Sequence, residues 1–453
     1  MARPPVRIPK ELETVARIYA EAGRQCWLVG GAVRDGLMGR ASGDFDLATD
    51  ARPEETVALF RRTVPTGIKH GTVTILLGGH QFETTTFRRD GKYSDGRRPD
   101  DVAYADDIRE DLARRDFTVN AIAWNLIDGT FLDPHGGRGD LSARIIRAIG
   151  NPDRRFEEDS LRAVRACRFA AQLGFTVAPG TLEAIGRSLG GIPALSAERI
   201  WEELKKILTS PRPSTAFNLF RETGLLAIIL PELDACVGVE QKGRHLLDVF
   251  DHSLAACDAA PAENLAVRTA ALLHDAGKPG AKSVDASGEV IFHRHEAAGA
   301  NVAESVLSRY KAPNAFRERV VRLVLHHMFQ YASDWTDAAV RRFMARTGLD
   351  ILDDLLLLRF ADASAVAPGQ KAATAHLVEL RSRVGGILEA ESALTVRDLA
   401  VNGRDLIAEL DMAPGPRLGT LLDHLLDCVL EDPSANERER LLDMGRRWLS
   451  VYG

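Results

Sequence analysis

Two aspartates near the amino terminus could hold a metal ion. Asp44 and Asp46 flank Phe45 in a short segment that is predicted to be a β-strand. Because the side chains of a strand alternate between its faces, the two carboxylates point the same way. Neighbouring negative charges repel one another, so a cation is expected between them, and ligands that are all oxygen favour Mg²⁺. By itself, this short spacing is also typical of a solvated strand end.

A glycine pair upstream of the aspartates could hold a triphosphate. Gly30 and Gly31 follow the apolar segment 26–29, and Arg34 comes three residues later. A Gly-Gly turn leaves backbone N–H groups free, and a guanidinium can bind phosphate through two parallel hydrogen bonds. The glycines, the arginine and the aspartates occur in this order within about 20 residues, and this combination is far more specific than any one of them. It predicts metal-assisted nucleotidyl transfer.

The elements that must position these groups belong to a small α/β region at the start of the chain. Helical periodicity covers residues 8–24. Runs of β-branched and aromatic residues between turns predict strands at 26–29, 44–48, 72–77 and 81–87. From about residue 140 strand signals nearly vanish, and helical periodicity continues to the end. The sequence therefore predicts a compact head followed by a long helical body.

Length and composition limit the classes of protein to consider. A chain of 453 residues suggests about three domains, and its net charge of −6 counts mildly against a simple nucleic-acid binder. Arginines cluster at 88–98 and 154–168, so any RNA surface should be a local stripe. There is no apolar run of ~18 residues, no signal-peptide segment and no paired-cysteine zinc motif. We expect a protein of the reducing cytoplasm with no membrane partner.

A second pair of charged residues could select a nucleobase. Residues 156–169 are predicted to form one helix that ends near Gly174, with Asp159 and Arg162 on the same face. Cytosine and adenine each present an amino donor beside a ring-nitrogen acceptor, which an aspartate and an arginine complement. Uracil and guanine present a carbonyl beside a ring N–H, and each unmatched buried group would cost on the order of 1–3 kcal/mol. The alternative is an ordinary helix salt bridge.

These segments resemble those of a known family. The sequence GGAVRD at 30–35, followed by DFD at 44–46, is similar to the signature of class II tRNA nucleotidyltransferases and bacterial poly(A) polymerases. That family belongs to the superfamily of beta-type DNA polymerases. The segment EDSLR at 158–162 resembles the family motif whose Asp and Arg read the incoming base. The segment RDFTVNA at 115–121 resembles the motif that contacts the nucleotide and supports that pair.

Two further segments resemble the region that follows the family's head. Residues 133–141 are similar to the hinge between head and neck, and residues 197–204 to the neck helix. The polar loop 88–99 is present, whereas family members that add only CC tend to lack it, so the resemblance leans away from a CC-only enzyme.

The resemblance implies roles for individual residues. Asp44 and Asp46 would be the catalytic metal ligands. Glu83, on a later strand, would be a third carboxylate of the metal site or, alternatively, a plain exposed strand residue. The remaining positions in the family motifs are expected to bind the nucleotide: Gly30, Gly31, Arg34, Arg115, Asp116, Asn120, Asp159, Arg162, Arg165 and Arg168.

Histidines in the second half of the chain form another group. Seven of the twelve histidines occur between residues 245 and 327, and they include a His-Asp dipeptide. The pattern resembles an HD-type metal phosphohydrolase domain, in which imidazoles and carboxylates bind one or two divalent metals and a metal-bound water attacks a phosphate ester. The predicted set leaves out His245, His293 and His327. The expected ligands are His252, His274, Asp275, His295, His326 and Asp362.

Taken together, the sequence predicts an α+β protein that adds CCA to the 3′ end of tRNA from CTP and ATP with Mg²⁺. A nucleotidyltransferase head with a mixed sheet would be followed by an all-α neck, body and tail. The expected segments are the head at 1–140, the neck at 141–240, an HD-type helical domain at 241–365 and a tail at 366–453. The alternatives are an A-adding enzyme, a poly(A) polymerase, a phosphohydrolase using a second divalent metal, and a non-enzymatic RNA scaffold.

Overall fold

The chain forms two compact units, residues 1–231 and 232–453. The computed structural model describes residues 7–68, 71–90, 102–241, 247–284, 286, 288–366, 371–390 and 393–452. None of the helices in these stretches is long and apolar enough to cross a membrane. The finer division into head, neck, HD-type domain and tail stays a prediction.

The first unit contains most of the strands in the described part of the chain. They are β1 (Trp27–Val29), β2 (Asp46–Thr49), β3 (Thr63–Gly67), β4 (Thr72–Leu77), β5 (His80–Thr86), β6 (Arg88–Asp90), β7 (Val102–Tyr104), β8 (Ala123–Asn125), β9 (Phe131–Leu132), β10 (Ile145–Ile146) and β11 (Thr176–Val177). Seven of them form one mixed sheet in the order β3-β4-β5-β2-β1-β8-β9. Only β2 and β5 pair in parallel within this sheet. The mixed sheet and the helical remainder confirm the predicted fold class.

Helices surround this sheet and continue beyond it. Those of the first unit are α1 (Lys10–Glu21), α2 (Gly31–Leu37), α3 (Pro53–Leu59), α4 (Ile108–Ala113), α5 (Gly137–Ala143), α6 (Pro152–Glu158), α7 (Leu161–Leu173), α8 (Pro179–Arg187), α9 (Ala197–Leu208), α10 (Pro213–Thr223) and α11 (Leu225–Ile229). The short helix α12 (Pro231–Asp234) follows at the junction of the two units in the sequence.

The sheet buries apolar residues on both faces, which fixes β1, the strand that ends just before the glycine pair. Leu28 of β1 and Leu47 of β2 pack with Tyr19 of α1 on one face. Val29 and Phe87 belong to a second apolar cluster on the other face. Because successive residues of a strand face opposite sides, β1 is held from both sides and its end at Val29 is fixed.

The second unit is mainly helical. Its helices are α13 (Val249–Ala259), α14 (Leu265–Leu273), α15 (Lys278–Ala281), α16 (His295–Arg309), α17 (Asn314–His326), α18 (Asp337–Thr347), α19 (Leu349–Ala365), α20 (Lys371–Glu389), α21 (Gly403–Leu410), α22 (Pro416–Glu431) and α23 (Arg438–Tyr452). One hairpin, formed by β12 (Lys282–Val284) and β13 (Val290–Phe292), precedes α16. A separate apolar core lies in the last sixty residues, among α21, α22 and α23.

Part of the predicted polar loop 88–99 forms a strand pair. Arg88 to Asp90 of β6 pair antiparallel with β7. Residues 91–101 lie outside the described residues. The prediction that this loop is a flexible element therefore stays untested.

Candidate active site

The two aspartates lie at, and just before, the start of β2. Asp46 is the first residue of the strand and Asp44 precedes it by two, while Phe45 between them is 6% exposed and faces the core. Loss of hydration and then the nearby charge of Asp44 raise the pKa of Asp46 to about 6, against the opposing effect of Arg115. This electrostatic conflict would be relieved by a cation between the carboxylates, so the oxygen donors fit a divalent metal.

Glu83 lies on the strand next to this pair. Leu47 of β2 is opposite Thr84 of β5 in the parallel register, which places Glu83 beside Asp46 on the same face. The charge of Glu83 also contributes to the raised pKa of Asp46. Its side chain is exposed. The position is compatible with both alternatives, and the role of Glu83 as a third metal ligand stays a prediction.

A glycine turn connects β1 to α2 beside the aspartates. Gly30 has a φ of +71°, and a Cβ at this position would lie 3.2 Å from Arg115 Nη1 and 3.5 Å from Asp46 Oδ2. The left-handed backbone favours glycine, and a Cβ would also push the Arg115 guanidinium slightly aside. Arg34, one turn into α2, donates from Nη1 to Asn120 Oδ1 at 2.7 Å. The turn brings backbone and guanidinium donors to one place, as the sequence predicts.

Asp116 is a buried anchor behind the pocket. It accepts two hydrogen bonds from Arg165, at 2.9 and 2.6 Å, one from Asn120 Nδ2 at 3.0 Å, and one from the Phe117 N–H at 2.8 Å. Burial alone would raise its pKa, but the Arg165 charge and these hydrogen bonds hold the pKa of Asp116 at about 2. The carboxylate is thus ionised throughout the neutral range, and it orients Arg165 and Asn120.

Asp111 is a second buried carboxylate that holds arginines in place, and the sequence patterns above did not predict this role. It is 1% exposed and pairs with Arg114 at 2.7 Å and Arg115 at 3.2 Å. Although burial opposes ionisation, these two arginines lower its pKa. The signal was present, because residues three and four apart meet on a helix surface. Asp111 thereby fixes Arg115 at the edge of the metal-binding face.

The predicted base-reading pair is built differently from the sequence expectation. The prediction of one continuous helix over 156–169 is wrong, because α6 ends at Glu158 and α7 begins at Leu161. Asp159 between them has φ −150° and ψ 103°, which is extended backbone. The predicted helix end at Gly174 is confirmed, with a φ of +71°.

The alternative, a salt bridge between Asp159 and Arg162, is not what the structure shows: Asp159 accepts from Arg199, and Arg162 pairs with Glu158. Arg162 donates from Nη1 to Glu158 at 2.6 Å and to the Arg155 carbonyl at 3.0 Å, and from Nη2 to the Arg114 carbonyl at 3.0 Å. Its side chain is 10% exposed. The backbone just before Arg115 thus supports the Arg162 guanidinium.

An aromatic ring beneath the pocket gathers three arginines. Arg168 lies 3.8 Å from the Phe169 ring centroid, and Arg34 and Arg165 lie 5.2 and 5.4 Å from it. Arg168 also pairs with buried Glu203 of α9. The π face attracts the cations and limits their motion. Together with the carboxylates of Asp35, Asp116 and Glu203, it keeps the three positive groups close. Phe169 was not predicted as a site residue, because an aromatic in an apolar helix is usually core.

These groups line one pocket of about 570 Å³. It brings together the two predicted catalytic aspartates and all ten predicted nucleotide-binding residues. Seven arginines and four aspartates contribute to its walls, so the pocket is net positive and suits a polyanion. The lining residues that were not predicted are Arg114, Leu161, Phe169 and Arg199.

A second site lies in the second unit, where four helices and the turn after α14 bring histidines together. His252 of α13 contacts Asp362 of α19, with Nε2 and Oδ1 at 3.0 Å. His274 and Asp275 follow α14, and His295 begins α16. All five side chains are buried. Ligand atoms of His252, His274 and Asp362 lie within 4.8 Å of one another, a spacing that one metal ion can bridge.

One predicted member of this cluster is wrong. His327, and not His326, completes it: His327 is 1% exposed, and its Nε2 lies 3.7 Å from Asp275 Oδ1. His326 is half-buried, and its pKa is lowered by partial burial and by the positive charges of Arg346 and Arg322. Consecutive residues at a helix end point in directions about 100° apart, so only one of the two can reach the cluster. Of the histidines left out of the predicted set, His293 is exposed and His245 lies outside the described residues.

In three histidines of the cluster, a hydrogen bond from Nδ1 to a backbone carbonyl fixes the tautomer. Nδ1–H of His274, His295 and His327 donates to a carbonyl three residues earlier, at 2.8, 2.9 and 2.7 Å. With Nδ1 protonated, Nε2 carries a lone pair. These three Nε2 atoms are buried and have no hydrogen-bond donor among the described residues. They lie 3.3 to 3.7 Å from the Asp275 carboxylate, and such a donor set fits a metal.

Three family descriptions match separate regions of the chain. The description "Poly A polymerase head domain" matches residues 26–147, "Probable RNA and SrmB- binding site of polymerase A" matches residues 174–237, and a "tRNA nucleotidyltransferase domain 2" matches residues 294–444. The chain is 34% identical over 423 residues to the CCA-adding enzyme of Anoxybacillus flavithermus, and this match covers 92% of each chain. It is 47% identical over 207 residues to the CCA-adding enzyme of Geobacillus stearothermophilus, covering 46% of this chain and 51% of that protein.

Solved structures share the fold. The crystal structure of the Bacillus stearothermophilus CCA-adding enzyme in complex with CTP superposes with a TM-score of 0.78 at 31% identity, over 100% of this chain and 99% of that one. The Thermotoga maritima CCA-adding enzyme complexed with tRNA is 18% identical and gives a TM-score of 0.58, over 98% of this chain and 96% of that one, so it shows a common fold alone.

Proposed function

This chain belongs to the family of CCA-adding enzymes, and we propose that it adds CCA to the 3′ end of tRNA from CTP and ATP with release of pyrophosphate. One observation carries the proposal: a single positively charged pocket joins Asp44 and Asp46 to Asp159 and Arg162. Metal ligands, phosphate-binding groups and a base-binding pair are the three parts that transfer of a chosen nucleotide needs.

The chemistry forms one phosphate ester and breaks one phosphoanhydride. The 3′-oxygen of the RNA attacks the α-phosphate, its proton is lost, and the β- and γ-phosphates leave as pyrophosphate. A divalent cation bound by Asp44 and Asp46, for which we propose Mg²⁺, would acidify the 3′-hydroxyl and neutralise charge on the phosphates. The contribution of the two carboxylates is to lie together where β2 begins, beside the glycine turn.

The triphosphate would bind at the glycine end of the pocket. The missing Cβ of Gly30 leaves room between Arg115 and Asp46, and Arg34 is held in place through Asn120. Because these groups are fixed before the substrate arrives, little ordering is needed at the moment of reaction.

The base would bind at the opposite end, between the two α6–α7 side chains. In the part of the chain that the structure describes, Arg162 uses both Nη1 hydrogens and one Nη2 hydrogen on protein acceptors. Nε and one Nη2 hydrogen remain to donate to the ring nitrogen of cytosine or adenine. Asp159 retains lone pairs for the amino group, so the pair that the fold presents complements C and A and mismatches U and G.

The direct test uses tRNA transcripts that end before CCA, after C, or after CC. Each transcript would be incubated with Mg²⁺ and CTP, ATP or both, and product lengths read on a sequencing gel. Growth by exactly three nucleotides from the bare end is the expected result. Addition of A only to the CC-ended transcript would instead identify an A-adding enzyme, and an extended ladder of A would identify a poly(A) polymerase.

We also propose a second, metal-dependent phosphohydrolase activity in the second unit. The observation that favours it is the convergence of three buried imidazole Nε2 atoms on Asp275, each with its Nδ1 already bonded to a carbonyl. A metal bound there would supply a nucleophilic water, and the buried ligands would keep it in place.

The second activity has its own test. Purified protein would be analysed for bound transition metals by mass spectrometry and assayed for metal-dependent opening of a 2′,3′-cyclic nucleotide to a monophosphate. His274→Ala should lose both metal and hydrolysis, while His326→Ala should keep both. A wild-type protein that binds no metal would contradict the proposal without affecting CCA addition.

A further inference from the structure

The neck helix α9 presents two opposite charges to the nucleotide pocket. Arg199 donates from Nη2 to Asp159 Oδ2 at 2.8 Å. One turn later on the same face, Glu203 pairs with Arg168 and lies 3.8 Å from Arg165. The helix thus supplies a cation to the predicted base-reading acid and an anion to two other arginines of the pocket. Neither residue was assigned a role from the sequence.

The Asp159 carboxylate is held by hydrogen bonds, because the residue belongs to neither helix. It lies in the break between α6 and α7, with extended dihedral angles. Its carboxylate is held at both oxygens: Oδ1 accepts from the Leu161 N–H at 3.1 Å, and Oδ2 accepts from Arg199. A carboxylate has about four acceptor positions, so two remain for a ligand after both bonds are made.

Arg199 itself is only partly satisfied by protein. Its side chain is 22% exposed, and Nη1 is buried with no acceptor among the described residues. A buried unpaired donor in a pocket wall is costly unless a ligand or water completes it. Arg199 Nη1 and the two remaining acceptor positions of Asp159 are therefore available to a ligand or a water molecule in the pocket.

We propose that Arg199 is a positioning residue that determines nucleotide specificity, by fixing the Asp159 carboxylate to accept from the amino group of cytosine or adenine. The inference rests on the proposed function of the pocket. Without Arg199, Asp159 keeps one donor from the backbone and can rotate away from the base. The amino group would then contribute less to binding, while contacts to the triphosphate would not change.

The test is the ratio of kcat/KM for CTP to that for UTP, measured on a transcript ending before CCA. In Arg199→Ala the ratio should fall about tenfold, the scale of one hydrogen bond, through a higher KM for CTP. Arg199→Lys keeps a cation beside Asp159 and should recover most of the ratio. Glu202→Ala, an exposed residue on the same helix, should match the wild type.

A second variant separates positioning from general support of the pocket. Glu203→Gln removes the charge that holds Arg165 and Arg168 and leaves the Arg199–Asp159 hydrogen bond in place. It should therefore raise KM for CTP and UTP together and leave their ratio unchanged. Thermal unfolding of each variant reports whether the fold is intact. An unchanged ratio in folded Arg199→Ala, or equal losses with both nucleotides, would overturn the inference. A wild-type protein that adds neither C nor A would instead refute the proposed function.

Discussion

Replacing Asp116 by asparagine is expected to destabilise the first unit by roughly 2–3 kcal/mol at neutral pH. The substitution keeps the shape of the side chain and an oxygen that can accept from the Phe117 N–H and from Asn120. It removes the negative charge that binds Arg165 through two hydrogen bonds.

The magnitude follows from the pKa of the buried carboxyl. Its pKa is lowered from 3.8 to about 2, which is a difference of roughly two pKa units. Each unit corresponds to about 1.4 kcal/mol of preference for the charged form in the folded state. Since the folded-state pKa is the lower one, this stabilisation is complete above about pH 4 and is lost as the pH falls toward 2.

The assay is urea unfolding followed by tryptophan fluorescence at pH 7 and pH 3, with hydrogen exchange of peptides from α7 as the local measurement. Asp116→Asn should lower the free energy of unfolding and the protection of α7 at pH 7, and the difference from wild type should narrow at pH 3. Asp153→Asn, which breaks the exposed pair with Arg187, is the matched control and should change little. A variant as stable as wild type at pH 7, or a difference that persists at pH 3, would refute this explanation.

Three further predictions test other parts of the site. Asp46→Ala should reduce nucleotide addition by at least about 1000-fold, because several kcal/mol of metal-assisted stabilisation are lost. Binding of tRNA in a filter assay should stay unchanged. Retained activity would argue against the metal assignment. Gly30→Ala should raise KM for CTP and ATP strongly, because the new Cβ would lie 3.2 Å from Arg115 Nη1 in a left-handed backbone, and steady-state kinetics that match wild type would contradict it. His327→Ala should lower the content of bound transition metal in the second unit, whereas His326→Ala should not; metal lost in His326→Ala and kept in His327→Ala would restore the original assignment.

Local patterns predicted the parts of the first site that depend on neighbours in the sequence. The alternation of buried Phe45 with exposed Asp44 and Asp46, and the positive φ of Gly30, follow from rules that act within a few residues. Strands β8 and β9 were not predicted, because a short hairpin of mixed composition lacks a long alternating pattern.

Contacts between distant segments could not be predicted. The sequence around Asp159 favours one continuous helix, and the break there leaves its carboxylate paired with Arg199, forty residues later. The choice between His326 and His327 depends on how α17 ends, because a shift of one residue turns the side chain to another face. In both cases tertiary contacts override local preference.

The measurement that tests the central claim most directly is the nucleotide selectivity of Arg162→Ala. The fold supports this guanidinium with Glu158 and two backbone carbonyls, which leaves two N–H groups for the base. The kcat/KM ratio of CTP to UTP should fall by about tenfold or more, the scale of one to two unmatched polar groups, while the metal dependence of the residual activity is retained. If UTP and GTP remain negligible substrates in the folded variant, the claim that Asp159 and Arg162 select the base is contradicted.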